Sequence, residues 1–393
     1  MTSSLSRRGF VHSGIAASIG AAASTSTFTM AARATDPVKI GLLIPLSGIA
    51  SLFGPSSQYC AELAVDEING RGGLAGRPIE LIVSDAGGAP AQAAKAALKL
   101  WKSDRVEAFV GMHDSSVRGA LVSLFKGQIP YVYTGVYEGG ECSAGTYVLG
   151  ETPEQQLEPV IPFLAQEHAA KRWYLIGNDY IWPHNTNTAA KKFIAAAGGQ
   201  VVGEEYLPFA VDNFDSSLIK IRDKKADAVL ITLVGSASVS FNRAFAGFGL
   251  ADKLVRLGTL IEENTLAGIG AANSVGLYSS SGYFVGVQTA QAVGLERRYS
   301  RKYGEKAPVL NDLAESCYEG LLLLEAMTKN TGGLNVAEIE PIAQGLRYDG
   351  PRGRTTLRNR HATRDIFLAL ADGNTFKIVK TFSQVGSGQT CKV

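Results

Sequence analysis

The sequence predicts an α/β protein built as two doubly wound α/β lobes with a ligand cleft between them. Three observations predict it. Short apolar runs rich in β-branched residues alternate with segments of helical period, the alternation restarts near Glu151, and no low-complexity linker separates the two series. The 393 residues are 46% hydrophobic and 19% charged, a globular composition with enough chain for two cores.

Val38–Ile44 is a continuous apolar run, the pattern of a strand buried on both faces of a parallel sheet. Residues 56–69 read as a helix stopped by Gly70, Gly72 and Gly73. A strand follows at 79–84. Ala94, Ala97, Leu98 and Trp101 then fall on one helical face. A strand at 106–111, a helix carrying Val117, Ala120, Leu121 and Leu124, and a strand at 131–134 complete the first series. Right-handed crossovers wind such a series into one sheet. The second series has a helix marked by Leu157, Val160, Ile161 and Leu164, then a strand at 173–177. A helix through Ala190, Phe193, Ile194 and Ala197 precedes a strand at 201–206. A helix through Phe214, Leu218 and Ile221 precedes a strand at 228–234. Further on, a helix is expected at 313–328 and a hairpin from strands at 366–370 and 376–379, turning at Asp372-Gly373.

The formal net charge is +2, and setting aside Arg7, Arg8 and Arg33 leaves 35 basic against 36 acidic side chains. A near-neutral chain argues against nucleic acid as the main partner, because phosphate binding needs a concentrated basic surface. Residues 1–34 read as a Tat-type signal peptide. Ser6-Arg7-Arg8-Gly9-Phe10-Val11 supplies twin arginines, a diluted apolar run extends from Gly14 to Ala32, and Ala32-Arg33-Ala34 offers a cleavage site that frees Thr35. Location in the bacterial periplasm follows, with no direct membrane insertion after cleavage, since no later run is long and apolar enough to span a bilayer. Cys60, Cys142, Cys317 and Cys391 allow three disulfide pairings, among which spacing does not choose; Cys60 and Cys317 lie in helical patterns and also suit core packing.

Ligands of open α/β sheets sit beyond the carboxyl ends of strands. The loops in question are 46–48, 85–87, 112–116, 133–138, 178–182 and 235–236, rich in hydroxyls, glycines and aromatics, which suits a small polar solute. Catalytic patterns are scarce. There is no phosphate-cradling P-loop, no H-E-x-x-H and no G-x-S-x-G elbow. Residues 70–75 match G-x-G-x-x-A but follow a helix, so they read as a helix stop. His113-Asp114-Ser115 are consecutive, which suits no directed triad. Histidines at 12, 113, 168, 184 and 361 lack metal-ligand spacing, so no cofactor and no metal are expected. Arg347, Arg352, Arg354, Arg358, Arg360 and Arg364 read as a solvated strand-and-turn face.

The opening "VKIGLLIPLSG" with "AVDEINGRGGLAGRPIELIVSDAGGAP" resembles the type I periplasmic solute-binding proteins of ABC importers, which include branched-chain amino-acid binders. Within them, Tyr137-Glu138-Gly139-Gly140-Glu141 and "IGNDYIWPHNTNTAAKKF" are similar to segments of the urea- and short-chain-amide-binding branch. The resemblance implies a type I periplasmic binding protein fold, with 38–150 plus 278–348 as the N-terminal lobe and 151–277 plus 349–393 as the C-terminal lobe. It implies a small-molecule ligand, an ABC permease as membrane partner, and no enzymatic turnover.

Carried over position by position, the resemblance points to Ser115, Tyr133 and Tyr180, with Trp182, His113 and Gly135 standing where that branch has Tyr, Tyr and Thr. Thr134 and Ser236 complete the candidate ligand-binding set. Ser115 and Ser116 also suit the N-cap of the following helix, and Glu138 suits a loop-holding role. One alternative is an α-amino acid ligand, with Ser115 and Thr134 on its carboxylate and Glu262 on its ammonium. Another is a cytoplasmic amide-sensing regulator, which the export signal opposes. Replacing Arg7 and Arg8 together by lysine is expected to hold the protein in the cytoplasm. Cell fractionation, with N-terminal sequencing for Thr35, checks this.

Overall fold

The computed structural model describes residues 36–389 and 391. The expected export signal therefore lies outside the described residues. The first parallel sheet comprises β1 (Val38–Ile44), β2 (Ile79–Asp85), β3 (Ala108–Gly111), β4 (Tyr131–Tyr133) and β5 (Thr146–Val148), in the order β2-β1-β3-β4-β5. β1 is buried along almost its whole length, as its continuous apolar run dictates. The second sheet repeats the winding with β6 (Arg172–Asn178), β7 (Gln200–Leu207), β8 (Ala228–Thr232), β9 (Val255–Gly258) and β10 (Leu277–Ser281), in the order β7-β6-β8-β9-β10. Each sheet reverses strand order beside its first strand, at β1/β3 and at β6/β8. These are the switch points where α/β sheets leave a crevice.

The C-terminal strands join the sheets. β11 (Arg347–Gly350) pairs with β12 (Gly353–Arg358), and β12 pairs with the start of β13 (His361–Asp372). β13 touches the first sheet at His361↔Val148, then runs antiparallel to β10 through Phe367–Leu370. β14 (Thr375–Val385) closes the expected hairpin, with Gly373 at φ +65° in its turn. Sheet membership shifts two expected lobe boundaries. β10 pairs with β9, so the return from the second sheet follows Ser281 rather than Leu277. β11 and β12 belong with the first sheet, so that segment does not end at 348. Apolar runs identify strands, but the hydrogen-bonding partner of each is chosen only in three dimensions.

The expected helix at 313–328 is Asp312–Thr331, buried over most of its circumference against the Gly54–Gly70 helix. Its acids Asp312, Glu315 and Glu319 share one stripe at i, i+3 and i+7. Arg352 and Arg364 meet that stripe. Arg352 pairs with Glu151, Glu315 and Asp312 (3.1 Å to the last), and Arg364 faces Glu151 at 3.6 Å and Glu319 at 3.5 Å. Both arginines are fully buried, and Arg360 is mostly buried against Glu340. The reading of this arginine run as a solvated face is thus corrected for these three, because carboxylates distant in sequence neutralise them; Arg354 does remain exposed, with Asp349.

Cys142 and Cys391 form a disulfide, while Cys60 and Cys317 are free and buried, in keeping with core packing. The Gly70–Ala75 pattern ends the Gly54–Gly70 helix and turns through the Leu74↔Arg77 bridge, as a helix stop should.

Burial pushes the Asp312 carboxyl up to about 7, against the pull of Arg352. An unfolded Asp titrates near about 4, so the folded state holds this proton more tightly. That contribution to stability is complete below about pH 4 and is lost as pH rises to about 7. Asp312→Asn is expected to flatten the pH dependence of the unfolding free energy across this window. Urea titrations at a series of pH values check it, and an unchanged slope contradicts the assignment.

Candidate ligand-binding site

Loops from both switch points converge on one cavity. Pro45 follows β1, Met112–Ser115 follow β3, Gly135 and Val136 follow β4, Tyr180 and Trp182 follow β6, and Val234 follows β8. Phe53, Leu260 and Leu313 complete an apolar wall. The cavity has a volume of about 50 Å³, so in this conformation it suits only a small group.

Asp114 caps the Ser115–Phe125 helix. Its Oδ1 accepts the backbone N–H groups of Ser116 (2.7 Å) and Val117 (3.0 Å). The expectation that Ser115 or Ser116 supplies the cap is therefore corrected. A carboxylate at the preceding position reaches the same orphan donors and also opposes the positive end of the helix. Ser115 Oγ instead donates to Glu138 Oε2 at 2.5 Å, and Arg118 donates to Glu138 Oε1 at 2.6 Å and faces Glu141 at 3.5 Å. Glu138 thus holds its loop, as expected. Tyr137 pairs with His361, so the side chains of Tyr137, Glu138 and Glu141 are all engaged in internal contacts.

His113 lines the cavity, but both ring nitrogens are engaged. Nδ1 lies 3.1 Å from the Asp114 carbonyl, which only accepts, so Nδ1 carries the proton and Nε2 accepts from Tyr131 Oη at 2.9 Å. Burial drives its pKa down to about 4, which keeps the ring neutral. Tyr133 is fully buried behind it and donates to the His113 carbonyl at 2.7 Å. Thr134 is buried too, facing the Gly111 carbonyl at 3.4 Å. The structure therefore brings His113, Ser115, Gly135, Tyr180 and Trp182 together, while Tyr133 and Thr134 form a layer behind the wall. Ser236 is exposed on the Gly235–Gly247 helix and does not line the cavity. Glu262 caps the Glu263–Ile269 helix through Asn264 and Thr265, so it is not free to meet an ammonium group.

Three features of the site escaped sequence reading. Among the described residues, Asp114 is the only formally charged side chain on the wall, and its Oδ2 takes no hydrogen bond from them. The backbone N–H groups of Ser115, Gly135 and Val136 likewise find no acceptor among the described residues. Phe53, Leu260 and Leu313 come from segments with no motif at all. The cap consensus at Asp114 was a readable signal, whereas the apolar contributors carried none.

A family model described as "Periplasmic binding protein" matches residues 37–375. The chain belongs to the periplasmic binding protein family. Leu/Ile/Val-binding protein homolog 6 of Brucella melitensis is 26% identical over 385 residues, covering 92% of this chain and 96% of that protein. Among solved structures, a solute-binding protein of an ABC transporter from R. palustris, in complex with 4-hydroxybenzoate, superposes with a TM-score of 0.83 at 22% identity, covering 90% and 99% of the two chains. A branched-chain amino acid transporter substrate-binding protein from Streptococcus pneumoniae, in complex with isoleucine, gives 0.75 at 22% identity, covering 88% and 99%. The chain is thus a non-enzymatic periplasmic binding protein with a type I fold, and the family implies an extracytoplasmic location. No helix of the described residues is long and apolar enough to cross a membrane.

Asp114→Ala is expected to lower the unfolding free energy by about 1 kcal/mol through loss of the cap, while Asp114→Asn retains most of it. Chemical denaturation of both variants checks this.

Proposed function

We propose that this periplasmic binding protein delivers a short-chain carboxamide with an apolar body to its permease. The observation that carries the reading is the charge of the wall. Among the described residues, one carboxylate lines the cavity and no cationic side chain does. A ligand carboxylate would meet Asp114 without a counter-ion, at a helix end that Asp114 already neutralises in part. A neutral amide matches both halves of the site. Its carbonyl oxygen accepts from the free N–H groups of Gly135, Val136 or Ser115, and its N–H donates to Asp114 Oδ2. The apolar body packs on Trp182, Phe53 and Leu313. Urea lacks such a body and fits the apolar wall less well. The 4-hydroxybenzoate bound by a structural relative lacks the amide donor. Closure of the two lobes over the solute then shifts the population toward the form that the permease recognises.

A second reading, an apolar α-amino acid, is favoured by Asp114 itself, which can accept an ammonium group, and by the Leu/Ile/Val-binding relatives. A thermal-shift screen separates the readings with isobutyramide, isobutyrate and valine. Isobutyramide is expected to raise the melting temperature, by an amount equivalent to about 2.7 kcal/mol at a hundredfold excess over Kd, and isobutyrate to leave it unchanged. Stabilisation by isobutyrate or benzoate without isobutyramide overturns the proposal. If valine alone binds, and Asp114→Asn weakens it about tenfold or more, the amino-acid reading replaces it.

A further inference from the structure

The cavity does not end at Asp114. A second chamber shares Pro45, Ala50, Asp114, Tyr180 and Val234 with the first, and has a volume of about 380 Å³, against about 50 Å³ inside. Asp114 stands where the two spaces join. The outer walls are largely apolar, with Ile49, Ala89 and Pro90 from the first half and Phe209 from the second; Ser116 adds a hydroxyl. Phe209 packs on Tyr180 at 4.9 Å between ring centroids and is 39% exposed, a large apolar face left facing the chamber.

The outer wall is built rather than loose. Asp85 Oδ1 accepts from the N–H groups of Leu46 (2.9 Å), Ser47 (3.2 Å) and Gly87 (2.8 Å), and its Oδ2 accepts from Ser47 Oγ at 2.6 Å. Gly48 holds φ +74°, and a Cβ there would lie 2.6 Å from the Gly87 carbonyl, so the two loops meet only because that position lacks a side chain.

We infer that the solute is a secondary amide whose acyl group fills the inner cavity and whose nitrogen substituent runs past Asp114 into the outer chamber. The inference rests on the carboxamide reading and sharpens it. A primary amide leaves the larger, apolar chamber unfilled. A substituent on nitrogen keeps one N–H for Asp114 and buries its carbons against Ile49, Pro90 and Phe209.

Isothermal titration calorimetry on the mature protein with isobutyramide and N-butylisobutyramide tests it. The N-butyl compound is expected to bind about tenfold tighter or more, since several methylenes leave water. Phe209→Ala is expected to remove most of that gain while leaving isobutyramide affinity within about twofold, and Phe209→Leu to restore part of it. Phe209 lies outside the inner cavity, so loss of isobutyramide binding is not expected from either variant. Equal or weaker binding of the N-butyl compound overturns the inference, as does a gain that survives Phe209→Ala. If isobutyramide alone binds, only the extension falls. If neither compound binds, the carboxamide reading falls and takes the extension with it.

Discussion

The two halves of this protein are joined through a buried cluster of charges. Glu151 lies on the first passage between the sheets, Gly282 follows β10 on the second, and Arg364 sits within β13, which forms the third. A Cβ at Gly282 would meet the ends of the Glu151 and Arg352 side chains, so a larger residue there would have to displace the cluster. The carboxyls of Glu151, Asp312, Glu315 and Glu319 outnumber the guanidiniums of Arg352 and Arg364. Full ionisation would leave net negative charge in a medium that solvates it poorly, which is why burial raises the carboxyls of Asp312 and Glu315. Such a cluster is a weak source of net stability. Its geometric demand is strong, because Glu151, the acidic stripe of the Asp312–Thr331 helix, Arg352 and Arg364 must arrive together from four separate segments.

The ligand site inherits its position from that joint. Held side by side, the two sheets direct their switch-point loops at each other, and the space between them becomes the cavity. Its polar groups are mostly main chain, set by where strands end and a helix begins. His113 lines the wall with both ring nitrogens engaged, by Tyr131 and the Asp114 carbonyl, and behind it lies a layer of satisfied side chains: Tyr133 on the His113 carbonyl, and Arg118 over the ring of Tyr137 at 4.6 Å while bound to Glu138. Residues that a motif comparison assigns to ligand contact can therefore serve one layer back. Their hydrogen-bonding capacity is already used in fixing the loops that touch the solute.

The sequence by itself determined the alternation of strands and helices, the restart near Glu151 and the loops on which a ligand could sit. These follow from local rules: apolar runs for strands buried on both faces, a period of 3.6 for helices, glycines at their ends. It also placed Ser115, Tyr180 and Trp182 in segments that follow strands, because a strand end is legible where the apolar run stops. The tertiary structure decided what depends on partners far away in sequence. It paired Cys142 with Cys391, buried Arg352 and Arg364 among carboxylates, moved β10 to the second sheet, and turned Ser115 toward Glu138 while leaving Asp114 in the wall. Charge and hydroxyl patterns do not say in advance whether a group meets water, a counter-ion or a ligand. That choice is made by which segments the fold brings within about 3 Å of one another, where hydrogen bonds form.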